Sequence, residues 1–171
     1  MGSPIQEIID GGLVPFLISN VKRTENTYFQ RECAWALTNI AAGTTQQTEM
    51  ILEQGALAPI MSLLDSNEED IAEQAIWAIG NIAGDNSGFR DQILNFGIQG
   101  LVRIGMNTKN PNLFKNVTWA LSNLCRGKPP ASYELTKESA KVFAEGVKRN
   151  NENVVVGDAL WALSCLSGMR N

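Results

Sequence analysis

The chain has 171 residues, 44% of them hydrophobic and 19% charged, with a formal net charge of −4 and no histidine. The acidic balance argues against general nucleic-acid binding and suits a basic partner. The lack of histidine removes the commonest general base and metal ligand. There is no apolar run of about 18 residues and no secretion signal, so a soluble chain without membrane attachment is expected.

In chain order, Met1-Gly2-Ser3 reads as leftover expression sequence, and Gln6 makes the Met-Gly start a poor myristoylation signal. Pro4–Asp10 reads as a short helix closed by Gly11-Gly12. Leu13–Lys22 reads as a second helix, apolar at Leu13, Phe16, Leu17 and Val21. After a loop at Thr24–Thr27, Tyr28–Ala42 is a longer helix carrying Trp35. Thr44-Thr45 starts a short helix over Gln47–Gln54 that Gly55 stops. Ala56–Leu64 is the next helix, and Asp65-Ser66-Asn67 the turn after it. Glu68–Ala83, with acids in its first turn, is a long helix carrying Trp77. Asn86-Ser87-Gly88 is expected to break the chain before a short helix at Phe89–Asn95, stopped by Gly97. Ile98–Met106 follows, and Asn110-Pro111 opens the helix of Trp119. Gly127-Lys128-Pro129-Pro130 cannot continue a helix, and the stretch to Glu138 reads as a loop with one helical turn. Ala140–Lys148 and Asn153–Leu166 complete the chain, the latter carrying Trp161.

All four tryptophans are spaced by a constant 42 residues (77 − 35, 119 − 77, 161 − 119), each inside a Trp-Ala-Leu/Ile unit. Such a period without strand patterning predicts an all-α solenoid of the armadillo/HEAT kind. The units run approximately over 4–54, 55–96, 97–138 and 139–171, and both ends read as truncated. Uncapped ends of this sort are expected to fray or self-associate.

On a helical wheel with Trp at zero, positions two before and one, two, five and six after it share one face. They hold Cys33, Ala75, Val117 and Ala159 together with the Ala, Leu/Ile and Ala/Cys/Ser residues of each unit, so this is the core face. Trp35, Trp77 and Trp119 fall on the other side, beside Asn39, Asn81 and Asn123 four residues on. Two readings remain open there. The indoles and amides form a ligand surface, or they pack between helices and tie loops together.

Chemistry other than binding is poorly supported. Gly80-Asn81-Ile82-Ala83-Gly84 lacks the Lys-Ser/Thr of a phosphate loop, and Glu68, Glu69, Asp70 and Glu73 suit a solvated helix start. Three cysteines with no close pair make neither a disulfide framework nor a zinc site, so no cofactor or metal is expected. Cys33 and Cys125 on core positions suit reduced thiols in the cytosol or nucleus. On the Trp side, Glu32, Gln74, Asn116 and Asp158 stand three residues before each Trp, and Gly43 and Asp85 eight after. Amides can bond a peptide backbone whatever its sequence, and indoles wall long aliphatic stems with cationic tips. A groove of this composition wants an extended Lys/Arg-rich segment.

The runs Trp35-Ala36-Leu37-Thr38-Asn39-Ile40-Ala41, Trp77-Ala78-Ile79-Gly80-Asn81-Ile82-Ala83-Gly84-Asp85 and Trp119-Ala120-Leu121-Ser122-Asn123-Leu124-Cys125-Arg126 closely resemble the first armadillo repeats of the importin-α (karyopherin-α) family. Gly11–Pro15, Gly43–Thr48, Glu73–Trp77 and Phe89–Asp91 extend the likeness, which runs from about Pro4 to Ser167. It implies a right-handed armadillo superhelix and a non-enzymatic receptor for basic nuclear localisation signals, found in cytoplasm and nucleus. The pairs Trp35/Asn39, Trp77/Asn81 and Trp119/Asn123 would hold the peptide antiparallel to the array. The Gly43 carbonyl, Thr48 hydroxyl and Asp85 carboxylate would form a lysine pocket. Gln74, Asn116 and Asp158 match further contact positions, and Lys115 and Arg126 match basic positions of the family. Trp161 continues the row, but Cys165 stands where the family has Asn or Tyr, which leaves the fourth unit in doubt. The implied partners are cargo proteins bearing such signals; the family's importin-β-binding segment has no counterpart here. The alternatives are a catenin-like scaffold, whose groove would need Lys/Arg ladders, and a structural spacer whose Trp rows only pack.

Overall fold

The computed structural model describes residues 4–149 and 152–169, so Met1–Ser3 lie outside the described residues. The chain forms two compact units, Met1–Ile82 and Ala83–Asn171. The first holds α1 (Pro4–Asp10), α2 (Val14–Asn20), α3 (Thr27–Ala41), α4 (Thr45–Glu53), α5 (Leu57–Ser62) and most of α6 (Glu69–Asp85). The second holds α7 (Ser87–Phe96), α8 (Gln99–Asn107), α9 (Pro111–Cys125), α10 (Tyr133–Thr136), α11 (Ala140–Arg149) and α12 (Asn153–Gly168). Short 3-10 turns at Leu63–Asp65 and Lys137–Ser139 extend α5 and α10, and there are no strands among the described residues.

Local chemistry explains where the helices start and stop. Thr44 caps α4 in a reciprocal box: its hydroxyl accepts from the Gln47 backbone N–H, and the Gln47 side-chain oxygen accepts from the Thr44 backbone N–H. Forty-two residues later Asn86 does the same duty for α7, accepting from the Phe89 N–H at 3.0 Å. Ser87 and Gly88 therefore lie inside the first turn of α7 instead of breaking the chain as expected, because a single extended capping residue suffices to restart the helix. At the other end of each short helix, Gly55 (φ 82°) and Gly97 (φ 97°) take the left-handed turn that other residues rarely adopt.

The Trp helices bury one stripe each. In the first unit Cys33, Leu37, Ile40, Ala75, Ile79 and Ile82 are buried together with Ile18, Val21, Ile51 and Ile60. In the second, Val117, Leu121, Leu124 and Ala159 are buried with Ile93, Leu101, Val142 and Phe143. Burying such a side chain is worth about 1.5–3 kcal/mol, so this stripe sets the orientation of each helix. Along α2 the buried stripe is Val14, Ile18 and Val21, and Leu13 and Phe16, expected on the apolar face, are exposed. The helix starts one residue later than expected, with Pro15 in its first turn, and Phe16 makes an edge-on contact with Phe29 instead (centroids 6.0 Å).

The second unit contains one buried cation. Arg90 of α7 is almost wholly buried, and its Nη1 donates to the carbonyls of Arg126 (2.7 Å) and Pro129 (2.9 Å). Its Nε donates to Asp91 at 2.8 Å. The guanidinium thus satisfies the carbonyls of the 126–130 loop, a segment that its glycine and prolines keep out of any helix. Arg90→Met is expected to destabilise the protein by about 3 kcal/mol, since two charge-assisted bonds to loop carbonyls, worth about 1.5–3 kcal/mol each, are lost. Urea unfolding compared with wild type measures it.

Candidate functional site

In the first unit, α3 and α6 carry the Trp35/Asn39 and Trp77/Asn81 pairs away from the buried stripe. Trp35 is 54% exposed and Trp77 40%, unusual for so large an apolar side chain. With Thr38, Asn39, Ala42, Gln74 and Asn81 they line an open cleft of about 320 Å³. Asn39 is exposed and Asn81 half-buried. The cleft floor is tied together by Thr38, whose Oγ lies 2.9 Å from the Ala34 carbonyl and 3.0 Å from the Gln74 carbonyl, joining α3 to α6. A larger cleft of about 420 Å³ in the same unit opens at the turns around Lys22, Asp65 and Glu68, but no aromatic side chain lines it.

Other residues singled out in the first unit sit differently. Gly43 is exposed just beyond the end of α3, and Thr48 is fully buried, its hydroxyl donating to the Ala41 carbonyl at 3.3 Å. Asp85, the last residue of α6, belongs to the second unit.

The second unit presents its Trp face more sparingly. Trp161 is exposed and Trp119 half-buried, whereas Asn116 is buried and Asn123 is only 2% exposed. Asn123 shares its neighbourhood with Arg126. A Cβ on Gly84 would stand 3.2 Å from the Asn123 amide and 3.1 Å from the Arg126 guanidinium, so a side chain at position 84 would oblige both to give by a few tenths of an ångström. Lys115 is ion-paired to Glu152 at 3.1 Å. The half-buried Asp158 has its pKa raised above the ordinary 3.8 by burial, with the nearby Arg126 charge pulling it back. Burial likewise raises all three thiols, Cys125 to about 12, which makes them poor nucleophiles at neutral pH. Among the described residues no cluster of His, Cys, Asp or Glu could hold a metal, and no helix is long and apolar enough to cross a membrane.

Three residues of this face, Thr38, Tyr28 and Arg31, carry weaker sequence signals. Thr38 was seen only as part of the repeat, although its position three after Trp recurs as Gly80, Ser122 and Ser164, all small. Tyr28 and Arg31 lie seven and four residues before Trp35, and that spacing alone puts them on the Trp face.

Known proteins share this fold. The armadillo/β-catenin-like repeat model matches residues 3–42 and 44–84. A designed armadillo-repeat protein in complex with the peptide (KR)4 superposes with TM-score 0.80 and 26% identity, covering 94% of this chain and 67% of that one. Computationally designed armadillo-repeat proteins for modular peptide recognition share the fold at TM-score 0.82 and 24% identity, over 94% of this chain and 67% of that one. The chain is thus an armadillo-repeat protein, a class of non-enzymatic binding scaffolds. Importin subunit alpha-3 of Arabidopsis thaliana is 44% identical over 98% of the chain, and importin subunit alpha-1a of Oryza sativa subsp. japonica 42% over 98%. Importin subunit alpha-B of Dictyostelium discoideum is 44% identical, again over 98% of the chain. Within the armadillo class the chain belongs to the importin-α family. It spans about a third of the length of these relatives (32% for both plant proteins, 33% for the Dictyostelium one).

Asp158 yields a test by pH. Its raised pKa means that the fold disfavours the charged carboxylate. The resulting penalty is fully present above the raised folded value and disappears as pH falls to the ordinary 3.8. Asp158→Asn should therefore be the more stable protein at pH 7, with the gap closing towards pH 4 and below. Urea unfolding of both proteins across that range checks the sign.

Proposed function

We propose that the chain is a peptide-binding part of a nuclear import adaptor, holding Lys/Arg-rich nuclear localisation signals in extended form across its Trp/Asn faces. The observation that carries this reading is the first-unit cleft, with two exposed indoles as walls and the amides of Asn39 and Asn81 beside them. Water-exposed indoles at fixed spacing stabilise the aliphatic stems and cationic heads of Lys and Arg. An amide supplies both a donor and an acceptor, which matches the repeating N–H and C=O of an extended backbone. The net charge of −4 favours the approach of a cationic ligand. The relatives' names, importin subunits alpha, and the (KR)4 complex of the designed armadillo neighbour support the same ligand class. Cargo proteins bearing such signals are then the partners, and the cytoplasm and nucleus the places of action.

The decisive experiment titrates a monopartite Lys-rich peptide and a charge-reversed control against wild type and Trp77→Ala by calorimetry. Only the basic peptide should bind. Trp77→Ala should weaken it by about 1–2 kcal/mol, or five- to thirtyfold in Kd, with unchanged helical circular dichroism. A variant that unfolds, or one that binds as well as wild type, would return the indoles to a packing role.

A further inference from the structure

The wall of the first-unit cleft continues towards the N-terminal ends of α3 and α6, where the chain places a cation of its own. Arg31 is four residues before Trp35, and Asp70 is four residues before Gln74, so both stand one helical turn from residues lining the cleft. The Arg31 guanidinium joins the two helices. Its Nη1 lies 3.6 Å from the Asp70 carboxylate and its Nη2 3.2 Å from that of Glu32. Its Cζ lies 5.3 Å from the centre of the Tyr28 ring. One aromatic face and two carboxylates thus surround it, the contacts that a ligand arginine would seek.

The cluster is open to solvent: Tyr28 is 67% exposed, and the side chains of Asp70 and Arg31 are 73% and 38% exposed. Ion pairs this exposed add little to folding stability. Their position gives them a different consequence. Side chains of an extended ligand point alternately to opposite sides. One that passes between Trp35 and Trp77 towards the helix N-termini points to the side where Arg31 stands, one helical turn beyond Trp35. A lysine or arginine in that place meets a like charge and finds its carboxylates occupied, whereas a small neutral residue meets neither obstacle.

We infer that Arg31 is a specificity-determining residue, which makes this one slot of the groove reject a cationic side chain by holding Tyr28, Glu32 and Asp70 for itself. The inference rests on the basic-peptide reading of the groove. Discrimination of this kind works by repulsion of the wrong ligand as much as by attraction of the right one.

The test is a positional scan. A Lys-rich peptide is made with Lys or Ala at each position in turn and titrated against wild type, Arg31→Ala, Arg31→Gln and Arg23→Ala. Arg23, exposed in the turn after α2, removes the same charge away from the groove. At one position the Lys-over-Ala preference should rise about three- to fivefold in both Arg31 variants and in no other protein. Thermal melts establish that all four proteins fold. A gain spread evenly over all positions, an equal gain in Arg23→Ala, or no gain at all would overturn the role of Arg31. If the scan peptides bind none of the proteins, the basic-peptide reading falls and this inference with it; binding with a flat Arg31 response overturns the inference alone.

Discussion

The structure depends on one-sided burial of the Trp helices. Each of α3, α6, α9 and α12 turns a stripe of small and branched apolar residues inward, and the wheel arithmetic then leaves the indole no place in that core. Ala75, Ala159 and Cys33 at the position two before Trp keep the stripe narrow, so neighbouring helices can approach closely. An indole displaced from the core must either cover a neighbour or face water. In the first unit Trp35 and Trp77 face water, and the cleft between them exists because Thr38 ties α3 to α6 beneath it.

The same repeat produces different surfaces in the two units. Asn39 is exposed while its counterpart Asn123 is buried, where its amide and the Arg126 guanidinium both approach Gly84. Asp158 adds a carboxylate that burial already disfavours and that a nearby cation partly restores. A cationic ligand arriving there would compete with Arg126 for that carboxylate, whereas at Trp35/Trp77 the Asn39 amide is exposed and that of Asn81 half-buried. The periodic sequence therefore encodes an array of related sites, not of equal ones.

Much of this was legible in the chain. The period placed all four Trp helices, and the caps at Thr44 and Asn110 and the stops at Gly55 and Gly97 lie where turn chemistry puts them. The Trp side of each helix followed from its core stripe. Failures came where tertiary packing overrode local pattern. Leu13 and Phe16 read as core, but the stripe of α2 runs through Val14 and Ile18. The burial of Asn123 and of Arg90 depends on segments distant in sequence: Arg90 is held by carbonyls 36 and 39 residues away. Arg31 was overlooked for a simpler reason. Position four before Trp is Arg31, Glu73, Lys115 and Gly157 in turn, so the period carries no signal for it.

That irregular row has its own electrostatic logic. The recurring positions supply what any extended peptide offers, a backbone to bond and stems to cover, and so carry affinity with little selectivity. Selectivity among basic peptides has to come from positions where successive repeats differ. At the row four before Trp the sign alternates: a cation at Arg31, an anion at Glu73, a cation at Lys115 and no side chain at Gly157. Both cations are already paired across helices, Arg31 with Asp70 and Lys115 with Glu152. A cation paired in this way offers little to a ligand anion, and a ligand cation finds the partner carboxylates already engaged. On the proposed peptide reading, the row discriminates among peptide side chains by charge, and differently at each repeat.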